Sequence, residues 1–244
     1  MDQTEIWLTK IFNDYLAGLG NSILSIVRLP TAPRPWTNFV SMELLVVLIV
    51  VVVFAALRAG LSVANPGKFQ QTFELIYEFI SGQAEDLVGH AGQRYVAFFG
   101  VLFIFVLFAN LIGLIPGFES PTMYPYVPAG LAVATFLYYN AVGVQVNGLW
   151  KHLKHFAGPV WWLAPLMVLI EIMGHLSRPL SLTLRLYANM YAGEAVTGVF
   201  LNLTYLIVPA LFMALHVFVA LLQAYIFMAL TMVYVAGSLA HEEH

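Results

Sequence analysis

The sequence predicts an all-α polytopic membrane protein. About five membrane helices are expected, with an amphipathic connector, and the last two helices are long, tilted and paired as an antiparallel hairpin. Three observations carry this reading. Of the 244 residues 61% are hydrophobic and only 9% are charged, with a mean hydropathy of +0.83, where a soluble domain carries about 25% charged residues. Apolar runs of the ~20 residues that a spanning helix needs recur along the chain. Finally, an arginine, Arg185, sits in the middle of one of the most apolar stretches. A guanidinium is effectively always protonated. Placing one at mid-membrane costs from ~3 kcal/mol to well over 10 kcal/mol, which makes such a residue a functional-site hypothesis by default.

Residues 1–37 are expected to form an extramembrane arm, and 38–244 a single membrane domain. The arm begins with Asp2 and Glu5, and no basic stretch leads into an apolar region, so no cleavable signal is expected. Residues 6–29 are weakly amphipathic, and Pro30, Pro33 and Pro35 break the chain before the first span. That span, about 38–58, is nearly all Val, Leu, Ile, Phe and Ala, too long for a buried strand. The second, about 95–115, runs to Asn110, Gly113 and Pro116, and the third, about 128–149, carries Asn140, Gln145 and Asn147. The fourth, 159–201, and the fifth, 207–239, exceed what a perpendicular crossing needs, so they must tilt, kink or project. Between the first two spans, the connector 66–94 sets Phe69, Phe73, Ile76 and Ile80 on one helical face. Its polar side holds Glu74, Glu78, Glu85 and Asp86, unlike a basic helix drawn to anionic lipid. It reads equally as a surface-lying connector or a docking site for a partner subunit.

With five crossings, Arg58, Lys68, Arg94, Lys151 and Lys154 share one side with the C-terminus, and the opposite short loops hold no basic residue. The positive-inside rule puts that side, and the C-terminus, in the cytoplasm and the N-terminus outside; Lys10, Arg28 and Arg34 on the arm count against this. The net charge of −3 argues against nucleic-acid binding. The absence of cysteine excludes disulfides, thiolate metal sites and cysteine catalysis, and no metal site or cofactor is expected.

Helix four carries polar residues in a pattern. At ~100° per residue, Glu171, His175, Arg178, Ser181 and Asn189 all lie within roughly 80° of Arg185, forming one stripe. Glu194 falls roughly 180° away and ~13 Å further along. Two polar regions staggered in height do not make one continuous pore. In helix five His216 and Gln223 are seven apart and share a face. If the hairpin turns near Tyr205, residues at equal height have numbers summing to about 410. Glu194 is then level with His216, and Arg185 is close to the level of Gln223. Blander readings fit other residues. Asn140, Gln145 and Asn147 suit interhelical hydrogen bonding, and His90, His152, His155, His241 and His244 suit the interface. Arg178 suits snorkelling or local capping before Pro179.

Two other functions are weighed. A haem b subunit needs facing histidines, but His175 and His216 differ in height by ~28 Å in the hairpin. A solute transporter is expected to show inverted repeats with broken helices, and no convincing repeat is present.

Residues 177–194, SRPLSLTLRLYANMYAGE, resemble the signature of subunit a of F-type ATP synthases, the stator of the membrane rotor. The resemblance extends to NLIGLIPG at 110–117, to LQAYIFMALTMVYV at 222–235 and to the Glu-Glu-His ending. It implies a proton-conducting stator subunit with no catalytic site of its own, in a bacterial plasma (inner) membrane. The implied partners are the c-subunit rotor ring, the b-subunit peripheral stalk, other ATP synthase subunits and the lipid bilayer. By resemblance Arg185 is the essential stator arginine, and Glu194, Asn189, His216 and Gln223 occupy proton-path positions. Glu171 and Ser181 correspond to polar positions on the cytoplasmic side, whereas His175 departs from the family pattern. The chain carries no phosphate-binding glycine loop, so ATP chemistry is expected in partners.

Overall fold

A computed structural model describes residues 5–26, 28–63, 65–115, 117–148, 164–203 and 207–239. Those residues form eight α-helices and three short 3-10 turns, with no strand among them. Such an outcome follows from the solvent, since hydrocarbon offers no partner to a backbone N–H or C=O and a helix satisfies its own. Helices α1 (Trp7–Tyr15) and α2 (Ala17–Ile26) make up most of the arm. The bundle consists of α3 (Asn38–Ala59), α4 (Lys68–Val88), α5 (Val96–Leu111), α6 (Tyr126–Asn147), α7 (Ala164–Leu203) and α8 (Ile207–Leu239). The 3-10 turns cover His90–Tyr95, Ile112–Leu114 and Pro121–Met123.

Among the described residues, four helical stretches are long and apolar enough to cross a membrane, namely Asn38–Ala59, His90–Leu114, Tyr126–Val146 and Ala210–Leu239. Helix α7 is 40 residues long, yet Glu171, Arg178, Arg185 and Glu194 along it keep it out of this apolar set. At 1.5 Å per residue α7 extends about 60 Å and α8 about 50 Å, well beyond a hydrocarbon core of about 30 Å. The start expected for α7 at Pro159, the basic residues Lys151 and Lys154, and the hairpin turn at Tyr205 lie outside the described residues.

Helix α8 is the centre of the bundle and touches α4, α5, α6 and α7. Its buried stripe, Ala220, Ala224, Phe227, Met228, Met232 and Val235, follows helical spacing. The two alanines let neighbouring backbones approach, while the phenylalanine and methionines fill the space between α5 and α6. Leu182, Leu186 and Met190 bring one face of α7 into the same core. The amphipathic connector is α4. Its Ile80 and Ala84 are buried against the bundle, Phe73 meets Phe54 of α3 edge-on, and the Tyr225 hydroxyl donates to Gln83 Oε1 at 2.9 Å. The apolar face is therefore spent on this chain's own helices. Phe69, at its end, is exposed, as are Glu74, Glu78, Glu85 and Asp86.

The arm is tied to the bundle by side-chain amides. Asn13 donates Nδ2 to the Trp36 carbonyl at 3.0 Å and accepts the Trp36 N–H at 2.9 Å, while the Trp36 indole N–H reaches the Leu16 carbonyl at 2.9 Å. Asn38 Oδ1 accepts the Ile6 N–H, and Arg34 pairs with Glu5. Trp7 packs edge-on against Phe118, joining the arm to the α5–α6 connection. Replacing Asn13 with Ala leaves both backbone groups of Trp36 without their partner, a cost of about 1–3 kcal/mol. Hydrogen exchange at the Trp36 amide should accelerate at least several-fold in Asn13→Ala, with exchange in α5 and α8 unchanged.

Candidate functional site

The polar residues of α7 divide between its seam with α8 and the helices and loop on its other sides. The seam between α7 and α8 is antiparallel. Asn189 Nδ2 donates to Gln223 Oε1 at 2.9 Å, Phe200 stacks on Phe212 with centroids 4.4 Å apart, and the His216 ring lies against Gly193. A Cβ at position 193 would stand 3.0 Å from His216 Nδ1, so the imidazole occupies space that a side chain would take. The paired numbers sum to 412, 412 and 409, against the 410 expected for equal height.

The seam carries one polar pair at its middle, Asn189 with Gln223. Gln223 is buried and its Nε2 has no partner among the described residues; the same holds for Nε2 of the buried His216. A cavity of about 230 Å³ opens beside them, lined by Asn189, Gly193, Thr197, Leu215 and His216 among others.

Glu194 turns away from the seam toward the connection between α5 and α6. Its Oε1 accepts the Ser120 backbone N–H at 2.9 Å. The segment that presents this N–H is held by its own hydroxyls: Ser120 Oγ donates to the Ala109 carbonyl at 2.8 Å, and Thr122 Oγ1 donates to Asn110 Oδ1 at 2.6 Å. The two hydroxyl oxygens lie 2.7 Å apart. Ser120, Thr122 and Asn110 are completely buried, so the loop is a built element rather than a solvated turn. Close by, the Tyr124 hydroxyl donates to Glu119 Oε2 at 2.6 Å. Burial, and then that bond to Glu119, pushes the Tyr124 phenol well above its ordinary value, so it stays a donor. Glu194 and His216, expected as a pair because they are level, make no direct bond to each other among the described residues. Glu194 faces Ser120, while His216 faces Gly193.

At the other end of α7, Glu171 Oε1 lies 3.2 Å from His175 Nε2, and His175 Nδ1 lies 3.0 Å from the Tyr139 hydroxyl on α6. Arg178, which the sequence reading assigns to snorkelling or local capping, is set against two tyrosines. Its guanidinium lies over two aromatic faces, 5.9 Å from the Tyr139 centroid and 5.3 Å from that of Tyr234, an arrangement the ring quadrupole favours. Pro179 has no N–H to give, and the Thr183 hydroxyl bonds the Pro179 carbonyl at 2.8 Å in the next turn. Ser181 is exposed on the outer face of α7.

Arg185 stands between these groups. It is half-buried and makes no hydrogen bond or ion pair among the described residues. On one side it borders the core stripe of Leu182, Leu186 and Met190, and on the other an exposed apolar face that includes Leu176, Leu180, Leu184 and Val199. The single stripe expected for α7 thus resolves into separate neighbourhoods. Glu171, His175 and Arg178 are brought together, Asn189 joins Gln223, and Arg185 and Ser181 stay by themselves. Asn140, expected to bridge helices, donates Nδ2 to the Phe136 carbonyl one turn back in its own helix. His90 is exposed and pairs with Glu85, whereas His152, His155, His241 and His244 lie outside the described residues. Sequence reasoning missed Tyr139, Tyr234, Glu119, Ser120, Thr122 and Tyr124. The one available signal was the polar run Glu119, Ser120, Thr122 directly after the NLIGLIPG stretch.

Apolar helices packed beside one helix that carries acids, a histidine and two arginines along its length define a polytopic helical membrane protein with ionisable groups between its helices. Within that class, the chain belongs to the ATP synthase A chain family, whose pattern it matches over residues 39–236. It is 65% identical over 232 residues, 95% of its own length and 100% of the relative's, to ATP synthase subunit a of Solibacter usitatus. It is 46% identical to ATP synthase subunit a of Koribacter versatilis, covering 97% of this chain and 98% of that one. The corresponding subunit of Geobacter sulfurreducens is 43% identical, over 80% and 84% of the two chains. The protein is accordingly a multi-pass membrane-sector subunit, active in ATP synthesis and proton transport within a complex of other ATP synthase subunits, in which catalysis occurs elsewhere.

The geometry around Glu194 makes one position exacting. A Cβ at Gly113 would fall 2.6 Å from Glu194 Oε1 and 2.9 Å from the Ser120 nitrogen, too close for either to remain. Gly113→Ala should therefore break the Ser120–Glu194 bond. A hydrogen bond to a charged group is worth about 1.5–3 kcal/mol, so the thermal unfolding midpoint of the purified complex should fall measurably in Gly113→Ala.

Proposed function

We propose that this chain is the proton-conducting stator of a rotary F-type ATP synthase, forming two offset half-channels against a ring of c-subunits, with Arg185 facing the rotor carboxyls. The observation that carries the reading is Arg185 itself, a half-buried guanidinium with no partner among the described residues, bordering an exposed apolar helix face. A cation so placed calls for an anion from another chain, and the apolar face beside it suits a ring of apolar helices. Every rotor carboxyl must be neutral against lipid, because desolvation disfavours its charge, and ionised beside a fixed cation. Arginine meets this need and lysine does not, since a buried lysine gives up its proton and could relay it past the barrier.

In this reading Glu194, His216 and the 119–124 segment belong to the outer half-channel, Asn189 and Gln223 lie near the middle, and Glu171, His175 and Ser181 line the cytoplasmic half-channel. Glu171 and Glu194 are 23 residues apart, roughly 35 Å along a helix, which supports two separate polar regions rather than one continuous pore. Buried Nε2 atoms on His216 and Gln223, without partners among the described residues, are suited to water or to the rotor. The N-terminus lies outside, residues 1–37 lie beyond the membrane domain 38–244, and the C-terminus is cytoplasmic. The b-subunit stalk is the second partner.

Arg185→Ala should abolish proton-driven ATP synthesis in a complex that still assembles, and passive proton leak should rise. Normal synthesis in that complex would overturn the stator assignment. The absence of native cysteine allows a second check. With cysteine placed singly at 171, 175 and 181, a membrane-impermeant thiol reagent should label from the cytoplasmic side, and cysteine at 194 should label only from the other side. Labelling of 171 and 194 from one side would refute two half-channels.

A further inference from the structure

Around His175 the side chains form a closed arrangement that the family resemblance does not account for. Glu171, His175 and Arg178 share one face of α7, and Tyr139 of α6 and Tyr234 of α8 close over them. Tyr139 is 1% exposed. Its ring stacks on the imidazole at 5.9 Å and 29°, meets Phe136 edge-on at 5.4 Å and leans on Tyr234 at 5.7 Å. Arg178 lies over both tyrosine rings. Among the described residues, the Glu171 carboxylate and the Tyr139 phenol face the imidazole, and the Arg178 cation and Tyr234 lie on the far side of Tyr139.

The atoms of the ring decide what Tyr139 can do. Nε2 lies 3.2 Å from Glu171, and an ionised carboxylate only accepts, so Nε2 carries a hydrogen. The neutral ring then has a bare Nδ1, and the Tyr139 hydroxyl at 3.0 Å donates to it. When the ring gains a proton, that proton sits on Nδ1 and the phenol oxygen accepts it. A hydroxyl can take either part by rotating its hydrogen, so the same bond holds the imidazole through both protonation states. Phenylalanine fills the same space and does neither.

We propose that Tyr139 is a positioning residue for proton transfer, holding His175 in register with Glu171 through proton gain and loss, with Arg178 fixed over the tyrosine rings. This rests on the half-channel reading and adds to it a residue from a different helix. The imidazole has the Glu171 carboxylate at its Nε2 and the Tyr139 hydroxyl at its Nδ1.

The test uses the whole complex in inverted vesicles. Tyr139→Phe should slow ATP-driven proton pumping roughly three- to tenfold, the factor one hydrogen bond of ordinary strength supplies. In a His175→Ala background the same change should add no further loss, whereas equal loss in both backgrounds would mean that Tyr139 only packs. Tyr225→Phe, which removes a hydroxyl of α8 bonded to Gln83, serves as the control and should leave pumping unchanged. If Tyr139→Phe does not assemble, 3-fluorotyrosine at position 139 alters only the acidity of the phenol. The pH profile of pumping should then move, and an unmoved profile would overturn the proposal. Arg185→Ala is run alongside. Normal pumping there would count against the stator reading, while its loss together with wild-type behaviour in Tyr139→Phe would count against Tyr139 alone.

Discussion

The close approach of the His216 ring to Gly193 sets the register of the last two helices, and the rest of the polar interior follows from that register. A helix pair in hydrocarbon gains little from hydrophobic association, because lipid is as apolar as leucine, so packing and polar contacts must choose the alignment. Here a glycine on one helix admits an imidazole from the other, and four residues along α7 and seven along α8 the Asn189–Gln223 bond fixes the same alignment. Helix α8 is in turn seated on α5 and α6. That seating carries Tyr234 to Arg178, and it brings the Ser120 loop within reach of Glu194. A slip of one turn along the seam would separate all of these at once.

The architecture was legible in the sequence to the extent that it depends on length and periodicity. The last two helices are long and antiparallel as expected, and the hairpin heights agree within two residues because a helix rises uniformly per residue. The side on which each polar group finds its partner was not legible. Glu194 and His216 are level as expected, yet the carboxylate points to Ser120, some 74 positions earlier in the chain. Height follows from counting along one hairpin, but azimuth depends on where α5 and α6 sit, and no local pattern encodes that. Arg178 illustrates the same limit. Beside Pro179 it reads as a snorkelling residue, because its aromatic walls come from 139 and 234, and a tyrosine in a span looks the same whether it faces lipid or a cation.

The two ends of α7 solve the problem of membrane-embedded charge in different ways. Near Glu194 the solution is backbone: a loop pinned by Ser120, Thr122 and Asn110 aims an N–H at the carboxylate. Near His175 the described contacts are between side chains, linking carboxylate to imidazole, imidazole to phenol and phenol ring to guanidinium. Backbone donors hold a fixed geometry and never change protonation, which suits a group whose orientation matters. A cluster of titratable side chains can redistribute protons among its members, which suits a place where protons come and go.

Arg185 has neither kind of support, and its energetic position differs from that of every other polar group in α7. An unaccompanied guanidinium in the bilayer costs from ~3 kcal/mol to more than 10 kcal/mol, while the net stability of a folded domain is about 5–15 kcal/mol. The lone arginine can therefore offset a large share of what the packed core contributes. A partner that supplies carboxyl groups at the height of Arg185 would relieve this cost only when one of them is ionised and adjacent. The same cost that weakens the chain by itself would then bias each passing carboxyl toward its charged form. In the proposed complex, stability of the subunit and directionality of the rotor draw on one unsatisfied charge, and a substitution that stabilised the isolated chain by removing it would remove the barrier between the half-channels as well.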